Sequence, residues 1–348
     1  MPMLLVAAPD KFRGTATAAE VAAAVARAAV AAGAACDEAP VADGGEGTLA
    51  VLGGAVRRTT VRGPLGEPVE AEWRLQPGPG PGRPHEREIR PERTAVVEMA
   101  RASGLSLVGG PEGNDPLRAT TSGTGELIAA ALDAGARRVI VGVGGSATTD
   151  GGLAAIAALN PRRRLHAGIE LIVACDVGTR FADAAEVFAP QKGATPAQVS
   201  LLRRRLERLA QVYLRDYGVD VSDLPGSGAA GGLAGGLAAI GATLVAGFDV
   251  VADALSLPER IAAADLVVTG EGLLDAESFE GKAVGGVLRL AAEAGIPALV
   301  VAGDVVEDEL SALGPSATLV SLVERFGAER AWADVTGCVE DVVAGYLR

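Results

Sequence analysis

Val139-Ile-Val-Gly-Val runs directly into GVGGSATTDGG (Gly142–Gly152), and this junction decides how the chain is read. A short aliphatic run marks a parallel strand buried on both faces. The glycine-rich turn after it lets successive backbone N–H groups close around an anion as a phosphate nest. Three hydroxyls and one carboxylate share the turn. Asp150 falls beside the nest, where a carboxylate can hold Mg2+ or polarise a hydroxyl. A plain strand-to-helix turn with a capping Thr or Asp would use the same residues. Repetition favours the chemical reading. APDKFRGT (Ala8–Thr15), VADGGEGT (Val41–Thr48), PGSGAAGG (Pro225–Gly232) and VVTGEGLLD (Val267–Asp275) also combine glycine with carboxylates or hydroxyls after an apolar run. None fits the phosphate-loop pattern ending in GK and Ser or Thr, nor the GxGxxG fingerprint, which excludes a standard P-loop enzyme and a dinucleotide dehydrogenase.

Further aliphatic runs at Met3–Ala8, Ala95–Met99, Leu171–Ala174, Leu266–Thr269, Ala298–Ala302 and Ala317–Ser321 predict strands that alternate with helices. The first helix, Thr17 to Ala32, opens on the capping box Thr17-x-x-Glu20. A strand near Asp37–Val41 feeds the DGGEG turn. Arg57 to Leu75 alternates around Gly63-Pro-Leu-Gly and predicts a hairpin unlike its βα surroundings, which marks a domain boundary. Gly78–Arg93 is rich in Pro, Gly and charge and predicts an exposed loop between antiparallel strands. His85 in that loop and His166 after Arg162-Arg-Arg are expected in solvent. Thr195–Tyr217 predicts an amphipathic helix covering a sheet with Val199, Leu202, Leu206, Leu209 and Val212. The architecture that follows is α/β. A doubly wound parallel-sheet domain is built from both chain ends, 1–56 and 237–348, and a second α/β domain, 57–236, is inserted into it.

The 348 residues are 49% hydrophobic, 22% charged and 3% aromatic, ample for two buried cores. A net charge of −13 argues against nucleic-acid binding and means that any anion site must gather its own local positive charge. Cys36, Cys175 and Cys338 are too widely spaced for a disulfide framework or a zinc pattern, so a reducing, cytoplasmic setting is expected. The start of the chain has no secretory pattern, and no run of apolar residues is long enough to span a membrane.

The blocks APDKFRGTATAAEV, PVADGGEGT, VVEMARASGL, ATTSGTGELIAAALDAGARRVIVGVGGSATTDGG, ACD followed by VFAPQKGA, PGSGAAGGL and ADLVVTGEGLLDAESFEGKA resemble, in order from Ala8 to Lys282, those of type I glycerate kinases. The resemblance implies phosphorylation of D-glycerate by ATP with Mg2+, commonly giving 2-phosphoglycerate, on a flavodoxin-like domain carrying an inserted domain, with the ligands between the two. The chain departs from the family pattern in a short Leu159–Ala174 connection, an altered Val177–Ala189 segment and Thr149 in place of Asn. These departures imply a more open pocket rim.

Phosphoryl transfer asks for charge neutralisation and an oriented nucleophile, which carboxylates, lysines and backbone amides can supply. Asp10, Lys11 and Arg13 are expected to line the site from the first strand, the two cations facing a carboxylate or phosphate. Asp43 and Glu46, with Gly44, Gly45 and Ser146, are expected around the glycerate hydroxyls. Asp150 is expected as the base or a metal carboxylate, with Asp43 and Asp176 as further metal ligands. Gly144, Gly145, Lys192 and Lys282 are expected at the nucleotide phosphates, with Glu271 and Asp275 ordering that loop. A kinase of another small hydroxy acid would use the same parts. A noncatalytic glycerate or nucleotide sensor fits the shortened connection but not the retained Asp10, Asp43, Glu46, Asp150, Glu271 and Lys282. Small apolar helix faces are compatible with a homodimer.

Overall fold

The computed structural model describes residues 2–12, 14–77, 93–165, 168–279, 282–306 and 313–348. His85, His166, Arg13 and nearly all of the Gly78–Arg93 segment lie outside the described residues. The strands are β1 (Leu4–Ala7), β2 (Ala35–Glu38), β3 (Ala55–Arg62), β4 (Pro68–Leu75), β5 (Thr94–Glu98), β6 (Arg138–Gly142), β7 (Glu170–Ala174), β8 (Thr243–Val245), β9 (Leu266–Leu274), β10 (Ala298–Val305) and β11 (Ala317–Ser321). Two compact units result, Met1–Asp43 with Ala246–Arg348, and Gly44–Val245. The unit borders fall at 43–44 and 245–246, where the sequence placed 56–57 and 236–237: the short helix Thr48–Leu52 packs on β5, and β8 is the last strand of the second sheet.

The first unit holds a sheet in the order β11-β10-β9-β1-β2, all parallel. Counted within the unit this is 2-1-3-4-5, the flavodoxin-like order of doubly wound sheets. Strand parity explains the aliphatic stretches of its inner strands β1, β9 and β10. Leu5, Ala7, Leu266, Val268, Leu299 and Val301 pack with the helices Ala18–Ala31 and Val335–Tyr346. Their neighbours Val6, Val267 and Val300 point to the other face and are equally buried. The helix Ala18–Ala31 starts as its sequence dictates: Thr17 Oγ1 accepts from the Glu20 N–H at 3.2 Å, and Glu20 Oε2 accepts from the Thr17 N–H at 2.8 Å. The edge strand β2 has only four residues, and Arg260 clamps it by donating to both carboxylate oxygens of Asp37 and to the Glu38 carbonyl.

The second unit holds the order β3-β4-β5-β6-β7-β8. β4 runs antiparallel to both β3 and β5, and the remaining pairings are parallel. The hairpin is the one expected from Arg57 to Leu75, with Trp73 Nε1 donating to Thr59 Oγ1 at 3.0 Å across it. Its outer strand exposes Arg57, Arg58 and Arg62. At the other edge β8 is a three-residue strand the sequence did not announce. The helix Pro196–Tyr217 forms behind a Thr195–Gln198 capping box, but it does not cover a sheet. Its inner residues Leu202, Leu206, Ala210 and Tyr213 join Ile156, Phe181 and Val221 in a separate cluster, because the short helices Ala184–Phe188 and Leu233–Ala239 supply the apolar surface it meets. Among the described residues no helix is long and apolar enough to cross a membrane.

Leu299 is fully buried on β10, an inner strand of the first sheet, whereas Val56 on the outer strand of the second is 49% exposed. Leu299→Ala is expected to lower the unfolding free energy by about 2–5 kcal/mol, and Val56→Ala by about 0.5 kcal/mol or less, as measured by urea denaturation.

Candidate active site

In the first unit the site residues gather where the strand order reverses. Beyond Ala7 the chain stays beside β9: the Ala8 N–H donates to the Val268 carbonyl at 2.8 Å, the Asp10 N–H to the Gly270 carbonyl at 2.9 Å, and Thr269 Oγ1 to the Ala8 carbonyl at 2.8 Å. This fixes Asp10 at the carboxyl end of β1, outside which open α/β sheets bind their ligands. The Lys11 ammonium lies 3.9 Å from Asp10 Oδ1. Glu271 is not in a turn, contrary to the reading of TGEG. β9 runs on to Leu274, pairing with β10 as far as Leu274 opposite Val305, and its glycines are accommodated inside the strand. Burial pushes the Glu271 carboxyl up to about 7; the charges of Asp10 and Asp275 add to the rise, while Ser278 and Lys282 oppose it. Glu271 Oε1 is buried with no hydrogen-bond partner. Asp275 ends the strand and is tied to Ser278, whose N–H and Oγ both donate to Asp275 Oδ1. The structure therefore brings Asp10, Asp275 and Lys282 within electrostatic reach of Glu271, with Lys11 beside Asp10.

In the second unit the GGEGT (Gly44–Thr48) and GVGGSATTDGG turns pack backbone against backbone. A β-carbon on Gly142 would run into the Gly44 carbonyl oxygen, and one on Gly144 would lie 3.3 Å from the Gly45 Cα, so side chains are excluded by contact. The RASGL stretch pairs with the second turn: the Leu105 N–H donates to the Gly145 carbonyl and the Ala147 N–H to the Ser103 carbonyl, both at 2.9 Å. Glu98, 3% exposed at the end of β5, holds the first turn. Its Oε1 accepts the N–H groups of Gly47 and Leu49 at 3.0 Å, and its Oε2 accepts from Arg101 at 3.3 Å. Glu46 stands exposed between these anchors. The amides of Gly144, Gly145, Thr148 and Thr149 have no hydrogen-bond partner among the described residues, and the Thr148 and Thr149 hydroxyls are buried without one. Thr148 and Thr149 are buried, and buried donors are rarely left so. This is the strongest ligand signal in the unit.

Two sequence expectations need correction here. Lys192 is not set to meet a nucleotide phosphate: it is 2% exposed, and its ammonium donates to Ser146 Oγ at 2.8 Å and to the Thr148 carbonyl at 2.7 Å from inside the fold. Asp150 is not open for a metal or for a proton. Its Oδ2 accepts the Thr121 N–H and Oγ1, each at 2.9 Å, and its Oδ1 accepts the Gly152 N–H at 3.1 Å, with the Ala154 N–H adding a fourth donor. A carboxylate offers about four lone-pair sites, so this one is filled. Asp150 keeps some accessible surface beside a largely apolar cavity of about 370 Å³ under the helix Pro196–Tyr217. Its carboxylate is nonetheless deeply seated. Burial raises its pKa, the donors from Thr121, Gly152 and Ala154 pull against that rise, and burial likewise lowers Lys192 to about 7 against the charge of Asp150.

Among the described residues no three His, Cys, Asp or Glu side chains are grouped to hold a metal, so Asp43, Asp150 and Asp176 do not form a cage. Asp176 follows β7, where it adds to the burial that holds the Cys175 thiol at about 11. Sequence reasoning missed Glu98, Asn114 and Thr121. Asn114 Nδ2 bridges the Ala147 and Lys192 carbonyls at 3.0 and 2.9 Å. The only available signals were a carboxylate closing an aliphatic run and polar residues in loops.

Two α/β units with glycine turns and charged groups at the carboxyl ends of parallel strands define a phosphotransferase-like protein. The pattern of the Glycerate kinase family matches residues 5–164 and 160–345, and the chain belongs to that family of kinases. It is 38% identical over 343 residues to the Glycerate 2-kinase of Escherichia coli K12 and 39% identical over 343 residues to the Glycerate kinase of Bacillus subtilis 168, each alignment covering 88% of this chain and 86% of the relative. A crystal structure from Salmonella typhimurium LT2, described as a candidate glycerate kinase 2, superposes with a TM-score of 0.78 at 34% identity, covering 99% of this chain and 98% of that one.

With its lone pairs filled, Asp150 acts as a brace. Asp150→Asn would set amide protons against the Thr121 and Gly152 N–H groups, and is expected to cost about 2 kcal/mol or more of unfolding free energy in urea at pH 7. Unchanged stability with a kcat loss of about 100-fold would restore it as a base.

Glu271 keeps its proton up to about pH 7 in the folded chain, against 4.5 in the unfolded one. The folded state binds more protons between these values, so stability through this residue is lost as pH rises across that window. In metal-free protein, Glu271→Gln is expected to match the parent near pH 4.5 and to exceed it by about 2–3 kcal/mol at pH 8, read as unfolding free energy at the two pH values.

Proposed function

We propose that the chain is a type I glycerate kinase that transfers the γ-phosphoryl group of ATP to the 2-hydroxyl of D-glycerate. The observation that carries this reading is the set of unpartnered amides at Gly144, Gly145, Thr148 and Thr149 with the two buried threonine hydroxyls. Fixed donors of this kind complement a small acid that carries a carboxylate and hydroxyls. We therefore assign this turn, with Gly44, Gly45, Asp43 and Glu46, to glycerate, and move Gly144 and Gly145 from the nucleotide side. The name of the Escherichia coli relative, Glycerate 2-kinase, supports the 2-position.

The nucleotide is assigned to the strand-order reversal of the first unit, where Lys11 and Lys282 supply positive charge for its phosphates. Asp10 and Glu271 fit the Mg2+ that accompanies it, because Glu271 Oε1 is a buried oxygen with no partner beside a second carboxylate. Asp150 does not fit, since its oxygens are filled. Mg2+ commonly takes one or two protein carboxylates and completes its shell with phosphate and water, and when bound it supplies charge neutralisation on the transferring group. The transition state is loose, so the chain's contribution is to hold the acid by its carboxylate, keep the hydroxyl in line and balance charge with lysines. Three free cysteines support a reducing, cytoplasmic setting.

Purified protein with Mg2+ and ATP is expected to release ADP when D-glycerate is added, in a coupled assay over a panel of hydroxy acids, and chelation is expected to stop turnover. Product analysis by NMR should find 2-phosphoglycerate. ADP release with another hydroxy acid but none with glycerate would reassign the substrate.

A further inference from the structure

We infer that Lys192 is a positioning residue: from beneath the Gly144–Asp150 turn it draws Ser146 Oγ and the Thr148 carbonyl inward, which leaves the turn's amides and threonine hydroxyls turned to the acid. This rests on the assignment of that turn to glycerate.

The geometry leaves the ammonium no other task. It is 2% exposed and is reached from the turn at two points, 2.8 Å from Ser146 Oγ and 2.7 Å from the Thr148 carbonyl. An ammonium has three donors and no acceptor, so every contact it makes fixes an oxygen. Two of the turn's acceptors are thereby occupied below, and the amides left without partners are those of the residues around them, Gly144, Gly145, Thr148 and Thr149. The lysine is itself held in place. Asn114 Nδ2 donates to both the Lys192 and Ala147 carbonyls, coupling the lysine's backbone to the turn's, and the Lys192 N–H donates to the Ala189 carbonyl at 3.1 Å. A further constraint comes from Gly231 at φ +67°, where a β-carbon would strike the Thr148 carbonyl that the lysine holds. The cation also lies within reach of Asp150, so the brace and the clamp bear on the same turn from two sides.

An apolar isostere keeps the volume and removes the donors. In Lys192→Met, kcat/KM for glycerate is expected to fall about 100-fold, the effect of a misplaced acceptor site, while the KM for ATP stays within about threefold. Hydrogen–deuterium exchange of 145–152, which contains the bonded amides of Ala147, Gly151 and Gly152, should quicken about tenfold with the first unit unchanged. Ser146→Ala should lower kcat/KM for glycerate by about 5–10-fold, the order of one hydrogen bond to a charged group. The double variant should then be no worse than Lys192→Met alone, because the two changes remove one interaction. Equal losses for ATP and glycerate, unchanged exchange over 145–152, or multiplying effects in the double variant would overturn the inference. If Lys192→Met does not fold, Ser146→Ala decides: a change of less than about twofold overturns the inference. If the parent protein proves inactive toward glycerate, the proposed function fails by itself, and the exchange comparison still decides whether Lys192 holds the turn.

Discussion

A charge removed from water must be met by groups that cannot move away, and the second unit meets three such charges mainly with its own backbone. Glu98 is held by the amides of the GGEGT turn, Asp150 by those beside Thr121 and Gly152, and Lys192 by a carbonyl and a hydroxyl of the GGSATT turn. Each is costly if left alone and favourable only when its partners are fixed. The turns are therefore as rigid as the ions they surround. The contact between Gly142 and Gly44 locks two of them together without a side chain intervening. What remains unmet after this internal matching is a set of amides and hydroxyls from Gly144 to Thr149, with Asn114 Oδ1 beside them also buried without a partner.

The first unit follows the opposite rule. Glu271 is buried beside Asp10 and Asp275, and one of its oxygens has no partner. Like charges crowded at the end of a sheet weaken the fold, and such perturbed carboxyls cluster at functional sites. The second unit thus resolves its buried charges internally, whereas the first leaves a buried carboxyl oxygen without a partner.

Most of the sheet architecture was legible because parallel strands buried on both faces have to be aliphatic, and because Thr17 and Thr195 each open a capping box that only a helix start can use. β8 escaped notice since three half-exposed residues carry no pattern. Glu271 was misread because glycine on either side suggests a turn, while pairing to β10 keeps the chain extended. The helix Pro196–Tyr217 showed its apolar stripe but not its partner, which is built by residues far away in sequence. The site residues were recognisable as types and not as roles. Whether a carboxylate such as Asp150 is free or filled depends on backbone donors contributed by Thr121, Gly152 and Ala154, and amides have no letter in a sequence. Lys192 likewise resembles a phosphate ligand until Ser146 and Thr148 close over it.

The sheet edges carry a consequence of their own. β3 presents Arg57, Arg58 and Arg62, β8 ends the same sheet after three residues, and β2 is short, acidic and strapped by Arg260. A flat apolar border would invite a strand from a neighbouring chain to add on by backbone pairing. These three borders are charged or too brief for that. Polymerisation by strand addition is discouraged along them, which protects a chain so rich in Val, Leu and Ala during folding, when its strands are bare and crowded with copies of themselves.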